Sequence, residues 1–357
     1  MIQTLALTSS DRLLVLAPHP DDESVATGGL LQHAMEVGAK ALVVFFTEGD
    51  NNPWAQRALE LRWRIGPSDR ARFAARRREE VRAALEQLGV PLADTRFLGF
   101  PDQGASDLLL HGNEVAQRAV TNALEEWRPT VLVVPSLLDL HPDHSALAVM
   151  VALAMAQLRG SVPVRRVVRF LVHNPQLRSR RHEGSLVLPL SEAQKARKRA
   201  AIACHKSQLV LRGSWLLSFA SGEETYFLEE SATGLQQHPV VTVHLENGNL
   251  VFRLASRTRM RSFGARKLCL VCNGEPPVRL VVDLPSSTGG ATVREPRSGR
   301  PIGEGFFRGT SGIGTLTLPA GVVSPGGLLF AKVEHRFGFF DEAGWKEISS
   351  VPGLLGR

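Results

Sequence analysis

The stretch LLVLAPHPDDE, residues 13–23, decides how the rest of the chain is interpreted. Its first five residues are an unbroken apolar run, which is typical of a strand buried on both faces of a parallel sheet. Polar residues follow at once, where such a strand would end. Further apolar runs that predict strands cover residues 41–46, 96–100, 131–135 and 167–172.

Segments with a helical pattern of apolar positions separate these runs. The pattern predicts helices over residues 23–37, 69–88, 114–127 and 145–158. Strands that alternate with helices favour parallel strand pairing with helices on both faces. We therefore expect an α/β domain over residues 1–235, with a Rossmann-like, doubly wound and mostly parallel sheet.

The character of the chain changes after about residue 235. Short apolar runs now follow one another, separated by turn residues such as those of residues 246–249. This pattern predicts a second, all-β domain over residues 236–357, sandwich-like and without a helix. The strand candidates are residues 240–245, 250–254, 267–272, 278–283, 314–318 and 328–333.

Composition limits the class of protein. The chain has 357 residues, 43% hydrophobic and 22% charged, as expected of a globular protein with two domains. Its first residues lack the features of a signal peptide, and its apolar runs are too short to span a bilayer. Three cysteines do not make a disulfide framework, which fits a reducing compartment. We therefore predict a cytoplasmic protein with no transmembrane segment.

The formal net charge of +7 raises the question of an acidic partner. Much of the positive charge lies in residues 62–82 and 178–199. There is no interleaved aromatic platform and no nucleic-acid motif, so we expect no nucleic-acid partner. An anionic substrate or the lipid of a membrane surface remains as an alternative to a simple solvated helix face.

Two polar loops follow predicted strands. Residues 19–23 come directly after the first strand, and residues 141–144 come soon after the strand at 131–135. Ligands bind beyond the carboxyl ends of strands in open α/β sheets, so the two loops can converge at one crevice. Imidazole and carboxylate together suit Zn, Fe, Mn or Co. Alone, Asp21 or Asp22 could merely cap a helix, but two such loops predict a metal site.

The motifs APHPDDE (residues 17–23) and HPDH (residues 141–144) together resemble the LmbE-like family of N-deacetylases, which includes the GlcNAc-phosphatidylinositol de-N-acetylases. The resemblance covers residues 12–210 and implies the hydrolysis of an N-acyl group, normally acetyl, from an amino-sugar conjugate. Pro18 departs from the small residue common there, and it stiffens the loop without removing a ligand. Weaker supporting segments are residues 47–50, 77–80, 101–102 and 205–208.

The resemblance also implies residue roles. His19, Asp22 and His144 would coordinate zinc, with iron or another divalent transition metal as the alternative. Asp21 would be the general base, and a protonated His141 would face the substrate carbonyl. The sugar pocket would be lined by Arg77, Asp102 and Asp50.

Several points stay open at this level. Glu23 is either a partner of a ligating histidine or a first-turn acid, and His205 either approaches the site or packs at a helix end. A metal-dependent amidase of a thiol conjugate or secondary metabolite is the competing enzyme, and a non-catalytic carbohydrate-binding protein is the competing non-enzyme. The aglycone, peripheral contact with a lipid-linked substrate and the oligomeric state are not fixed by the sequence.

Overall fold

The fold is described from a computed structural model. It covers residues 3–178, 185–228, 238–255, 266–310, 313–323, 327–334 and 339–348. Residues 179–184 of the second basic segment and the predicted domain boundary at 235/236 lie outside these ranges. The first of two compact units comprises Met1–Ala105, Arg118–Ser136 and Leu158–Ser231. The second comprises Ser106–Gln117, Leu137–Gln157 and Ala232–Arg357.

The first unit contains an eight-stranded sheet in the order β1-β7-β8-β6-β5-β2-β3-β4. Only β8 pairs antiparallel with its neighbours among the described strands, so the predicted mostly parallel sheet is confirmed. The strands β1, β7 and β8 were not expected from the sequence. The bounds are β1 Gln3–Thr4, β2 Arg12–Ala17, β3 Lys40–Thr47, β4 Thr95–Phe100, β5 Val131–Pro135, β6 Arg166–Phe170, β7 Ser185–Pro189 and β8 Glu223–Phe227.

Nine α-helices lie among the described residues. The four predicted helices are confirmed as α1, α3, α5 and α6. No described helix has both the length and the apolar character needed to cross a bilayer. The bounds are α1 Asp22–Glu36, α2 Pro53–Glu60, α3 Pro67–Leu88, α4 Ala105–Leu110, α5 Glu114–Trp127, α6 Pro142–Leu158, α7 Pro175–Arg178, α8 Glu192–Cys204 and α9 Lys206–Leu217.

The middle of this sheet determines where a site can form. β2 pairs in parallel with β3 on one side and with β5 on the other, so the strand order reverses direction at β2. Leu13, Val15 and Val43 are fully buried, which explains the unbroken apolar runs of these strands. The carboxyl ends of β2, β3 and β5 lie at the same edge of the sheet, where open α/β sheets bind their ligands.

The second unit contains a nine-stranded antiparallel sheet in the order β17-β16-β11-β12-β13-β14-β15-β10-β9. The all-β prediction is confirmed, and the 3-10 helix Ala320–Val322 is the one helix among the described residues after 238. Buried residues of distant strands, such as Phe252 and Leu270, share one core cluster. The bounds are β9 Val240–Glu246, β10 Asn249–Ala255, β11 Arg266–Cys272, β12 Val278–Leu284, β13 Ser287–Arg294, β14 Pro301–Thr310, β15 Ile313–Pro319, β16 Leu329–Glu334 and β17 Lys346–Ile348.

Candidate active site

The loop after β2 is tied to the neighbouring strand. Thr47, the last residue of β3, donates its backbone N–H and its hydroxyl to the carbonyl oxygen of Pro18, at 3.0 and 2.9 Å. α1 then begins at Asp22, and Asp21 is its N-cap residue without a capping hydrogen bond from its side chain. The loop therefore does not use the Asp21 carboxylate to cap the helix.

His19 is buried between two carboxylates. Its Nδ1 lies 3.4 Å from Oδ2 of Asp22, and its Nε2 lies 3.2 Å from Oδ1 of Asp102. A neutral imidazole carries one N–H and can donate to only one of these carboxylates. The other nitrogen then faces a carboxylate oxygen with its lone pair. A cation between that nitrogen and that oxygen would stabilise the neutral ring, whereas an imidazolium would donate to both carboxylates.

The His19–Asp22 contact has dimensions that suit a metal. Two ligands of a tetrahedral zinc ion lie about 3.3 Å apart when each bond is about 2.0–2.1 Å. The observed separation of Nδ1 and Oδ2 is 3.4 Å. Asp102 then accepts from Nε2–H, as carboxylates commonly do beside a metal-bound histidine. Burial acts to raise the pKa of Asp102, but its contacts with His19 hold that pKa below its ordinary value.

Asp21 lies beside Arg77, with Oδ2 and Nη2 3.1 Å apart. The buried Arg77 guanidinium also donates to the carbonyl oxygens of Gly49 and Pro20. Gly49 has a φ of +61°, and a Cβ there would lie 2.2 Å from the guanidinium, so this close approach requires glycine. Burial raises the pKa of Asp21 to about 6, although the charge of Arg77 acts to lower it. A carboxylate of that pKa is suited to proton transfer near neutral pH.

The three residues expected to line a sugar pocket lie in the same cluster. The backbone N–H of Asp102 donates to Oδ1 of Asp50 at 3.2 Å, and that of Asn51 donates to Oδ2 of Asp102 at 3.1 Å. The described contacts of Arg77 are with the Asp21 loop and with Gly49. These contacts organise the loop, and sugar binding by Arg77, Asp102 and Asp50 stays a prediction.

Glu23 and His205 form a buried pair behind this loop. Nε2 of His205 lies 2.9 Å from Oε1 of Glu23 and 3.2 Å from Oγ of Ser24. Burial acts to lower the pKa of His205, but the contact with Glu23 raises that pKa above its ordinary value. The pair fastens the first turn of α1 to the junction of α8 and α9. Glu23 is thus a partner of His205 as well as a first-turn acid.

The second unit holds the other predicted residues, and Asp139 organises them. Oδ1 of Asp139 accepts from the backbone N–H of His141 at 2.9 Å, and Oδ2 lies 3.2 Å from Nδ1 of His144. Asp139 and His144 are both fully buried. Because Nδ1 lies beside a carboxylate, Nε2 of His144 is the nitrogen better suited to a metal. Asp139 was missed in the sequence, although an acid two residues before a histidine motif is a usable signal.

The His141 ring caps α6. Its Nδ1 accepts from the backbone N–H of Asp143 at 3.2 Å, in the manner of an N-cap residue. A nitrogen that accepts a hydrogen bond is not protonated, so this contact favours the neutral ring with its proton on Nε2. The imidazolium expected from the sequence would have to break this hydrogen bond. His141 is therefore prepared to donate through Nε2–H as a neutral group.

Residues 339–345 of the C-terminal region pack on this second loop. The backbone N–H of Asp341 donates to the carbonyl oxygen of Leu140 at 3.0 Å, and that of Trp345 donates to Leu137 at 2.8 Å. The Phe339 ring stands edge-on to the His141 ring, with centroids 4.7 Å apart. No local pattern in the sequence could have linked residues about 200 positions apart, so these contacts were missed.

The N-terminal part of the chain is similar to a known protein family. Residues 14–155 match the model of the PIG-L family, described as GlcNAc-PI de-N-acetylase. The match covers less than half of the chain. The LmbE-like resemblance is thereby confirmed, and the β-rich region after residue 238 lies outside the match.

The chain spans half the length or less of the first curated relatives that it matches. The 1D-myo-inositol 2-acetamido-2-deoxy-alpha-D-glucopyranoside deacetylase of Mycolicibacterium vanbaalenii is 32% identical over 37% of this chain and 50% of its own length. The deacetylase of the same name in Geodermatophilus obscurus is 36% identical over 27% of this chain and 31% of its own length. A solved deacetylase of the teicoplanin biosynthesis pathway is 24% identical, with a TM-score of 0.47 over 60% of this chain and 96% of that one.

Proposed function

We propose that this protein is a metal-dependent N-deacetylase that hydrolyses the N-acetyl group of an amino-sugar conjugate, releasing acetate and a free amine. The observation that carries the proposal is the loop after β2. It brings together a histidine and a carboxylate at ligand spacing and a second carboxylate, Asp21, with a pKa of about 6. The curated relatives are named as deacetylases of a GlcNAc-type sugar on inositol, which supports this substrate class.

We assign His19, Asp22 and His144 as the protein ligands, and zinc as the metal, with iron as the alternative. Two observations support the assignment. His19 and His144 each have one ring nitrogen 3.2 Å from a buried carboxylate oxygen, which leaves the other nitrogen for a metal. The strands that precede the two loops, β2 and β5, are adjacent and parallel. When bound, the ion would lower the pKa of a water towards about 7 and polarise the acyl carbonyl.

The remaining steps belong to the side chains. Asp21 accepts a proton from the attacking water as the water oxygen bonds to the acyl carbon. His141 donates Nε2–H to the oxygen on which negative charge develops. Arg77 keeps Asp21 in place through its contacts with the same loop. The C–N bond then breaks, and Asp21 passes the proton that it took from the water to the departing amine.

An acid-release assay tests the reaction. We expect acetate from N-acetylglucosamine conjugates and little release of larger acids, with lipid-linked, inositol-linked, nucleotide-linked and antibiotic-linked sugars compared side by side. Release from a thiol-conjugate amide in preference to all the sugars would favour the competing amidase. Binding of the sugars without any acid release by the metal-loaded protein would favour a carbohydrate-binding protein.

Metal analysis tests the ligands. We expect about one divalent ion per chain, and loss of that ion in His144→Ala. His244→Ala is the matched control, since His244 is half-exposed on β9 and pairs with Glu246. An unchanged metal content in His144→Ala, or equal loss in both variants, would contradict the assignment.

A further inference from the structure

The hairpin formed by α2, α3 and their connection exposes large apolar side chains. Trp54 is 62% exposed, Leu61 92% and Trp63 77%. Trp54 and Trp63 are the exposed ones among the five tryptophans of the chain. Exposed apolar groups that gather on one element generally mark an interaction surface. We call Trp54, Arg57, Leu61 and Trp63 the hairpin patch.

The patch is organised rather than accidental. The Arg57 guanidinium lies between the two indoles, 4.9 Å from the Trp54 ring and 5.3 Å from the Trp63 ring. It also donates to the carbonyl oxygen of Trp63 at 2.9 Å. Leu61 ends α2 with a φ of +52°, a left-handed conformation that a leucine seldom adopts. The hairpin therefore holds its most exposed aliphatic side chain at a backbone position that favours glycine or asparagine.

A second element extends the apolar surface. α9 packs against α2, and Nδ2 of Asn52 donates to Oε1 of Gln208 at 3.0 Å. The same helix exposes Val210 and Leu211, by 43% and 55%. Two neighbouring elements of the first unit thus carry five of the eleven large apolar side chains that are exposed among the described residues.

The hairpin is also basic. Residues 53–88, which span α2, α3 and their connection, contain nine arginines and five acidic residues, a net +4 against +7 for the whole chain. Asp69 and Glu60 pair with Arg62 and Arg72 within the hairpin. Arg77 and Arg78 pair with Asp21 and Glu48 outside it, which leaves a smaller positive excess. Indole rings, an exposed leucine and an excess of arginine are the groups that hold a protein at the headgroup level of an anionic bilayer.

We propose that the hairpin patch docks the protein peripherally on an anionic lipid surface. A second copy of the chain is a poorer occupant, because a self-complementary contact would oppose two surfaces of the same positive sign. Nucleic acid is also a poorer occupant, because bases stacked on the indole rings would leave Leu61, Val210 and Leu211 exposed to water. The proposal does not depend on the deacetylase reaction.

Vesicle binding tests the proposal. The full chain should bind vesicles of phosphatidylcholine and phosphatidylglycerol in equal parts at least tenfold better than phosphatidylcholine alone, and the binding should weaken as salt is raised. Its tryptophan emission should shift to shorter wavelength and be quenched by brominated lipid. Trp54→Ala/Trp63→Ala should lose the quenching and at least tenfold in binding, and Leu61→Asp should also lose binding.

Phe306→Ala is the matched control, since Phe306 is 47% exposed on β14, and it should bind as the unaltered chain does. Absence of vesicle binding would overturn the proposal. So would binding that the double variant retains, a change of oligomeric state on mutation of the patch, or binding to a single-stranded oligonucleotide but not to vesicles.

Discussion

The two polar loops differ in what holds them. The loop of residues 18–23 is fixed by residues of its own α/β unit, chiefly Thr47, Arg77 and Asp102. The loop of residues 137–144 is fixed in part by residues 339–345, which lie between β16 and β17 of the C-terminal sheet. Both loops lie within the PIG-L match over residues 14–155, but the C-terminal residues that brace the second loop do not.

This difference indicates that the C-terminal region supports the second loop. Gly344 lies so close to the second loop that a Cβ would be 1.8 Å from the carbonyl oxygen of Leu137. Lys332 of β16 pairs with Asp341 at 2.7 Å, and both side chains are fully buried. The β-rich region is therefore part of the structure that positions His141. Substitutions in the residues that hold the first loop should have different effects from substitutions in the residues that hold the second.

Asp21→Asn tests the proposed role of the Asp21 carboxylate in the first loop as the general base. We expect kcat to fall by about 10²- to 10⁴-fold, because the amide cannot accept the proton from water. Metal content should change little, since Asp21 pairs with Arg77 and is not assigned as a ligand. Acetate release with metal analysis on the same samples checks this. Near-normal turnover would remove Asp21 as the base.

Lys332→Met tests the support of the second loop. Removing the ammonium leaves the Asp341 carboxylate buried without its charged partner, which costs about 3–5 kcal/mol of unfolding free energy. The double variant Lys332→Met/Asp341→Leu is the control and should recover most of the loss. Denaturant unfolding measures both. If the single and double variants had the same free energy of unfolding, the Lys332–Asp341 pair would not be the interaction that holds residues 339–345 in place.

The sequence was informative where local pattern and structure coincide. The apolar runs of β2, β3 and β5 and the histidine motifs after β2 and β5 could be predicted, because strand burial and metal-ligand chemistry both leave local signals. β13 and β14 could not, since glycines at positions such as 289, 290, 303 and 305 break the alternating pattern. The sugar-pocket role of Arg77 came from the resemblance and stays a prediction, while its contacts with Pro20 and Gly49 left no local signal in the sequence.

Acid should weaken the second loop through His238. Burial lowers the pKa of His238 to about 4, and its two ring nitrogens bond to the backbone of Gly344 and Val240 at 3.0 Å each. Between its ordinary pKa of about 6.5 and pH 4 the unfolded chain binds a proton that the folded chain does not. Stability is therefore full above pH 6.5 and falls as pH is lowered, by about 2 kcal/mol at pH 5.

His238→Gln isolates this contribution, because glutamine can still donate to Gly344 but does not titrate. Denaturant unfolding at pH 7 and pH 5 should show a larger loss for the unaltered chain than for the variant. An equal loss in both proteins would show that other groups cause the acid sensitivity.

Phe339→Ala gives the smallest expected effect and the sharpest test of the comparison. Edge-to-face aromatic contacts contribute about 0.5–1.5 kcal/mol, so loss of the contact with the His141 ring should lower kcat about two- to tenfold. KM should change less, because the affected group acts on charge that develops during the reaction. Phe306→Ala, in the C-terminal sheet but exposed, should leave both constants unchanged. A rise in KM with unchanged kcat would place Phe339 against the substrate instead of behind His141. An equal fall in kcat in Phe339→Ala and Phe306→Ala would mean that the C-terminal region supports the second loop only through its overall stability.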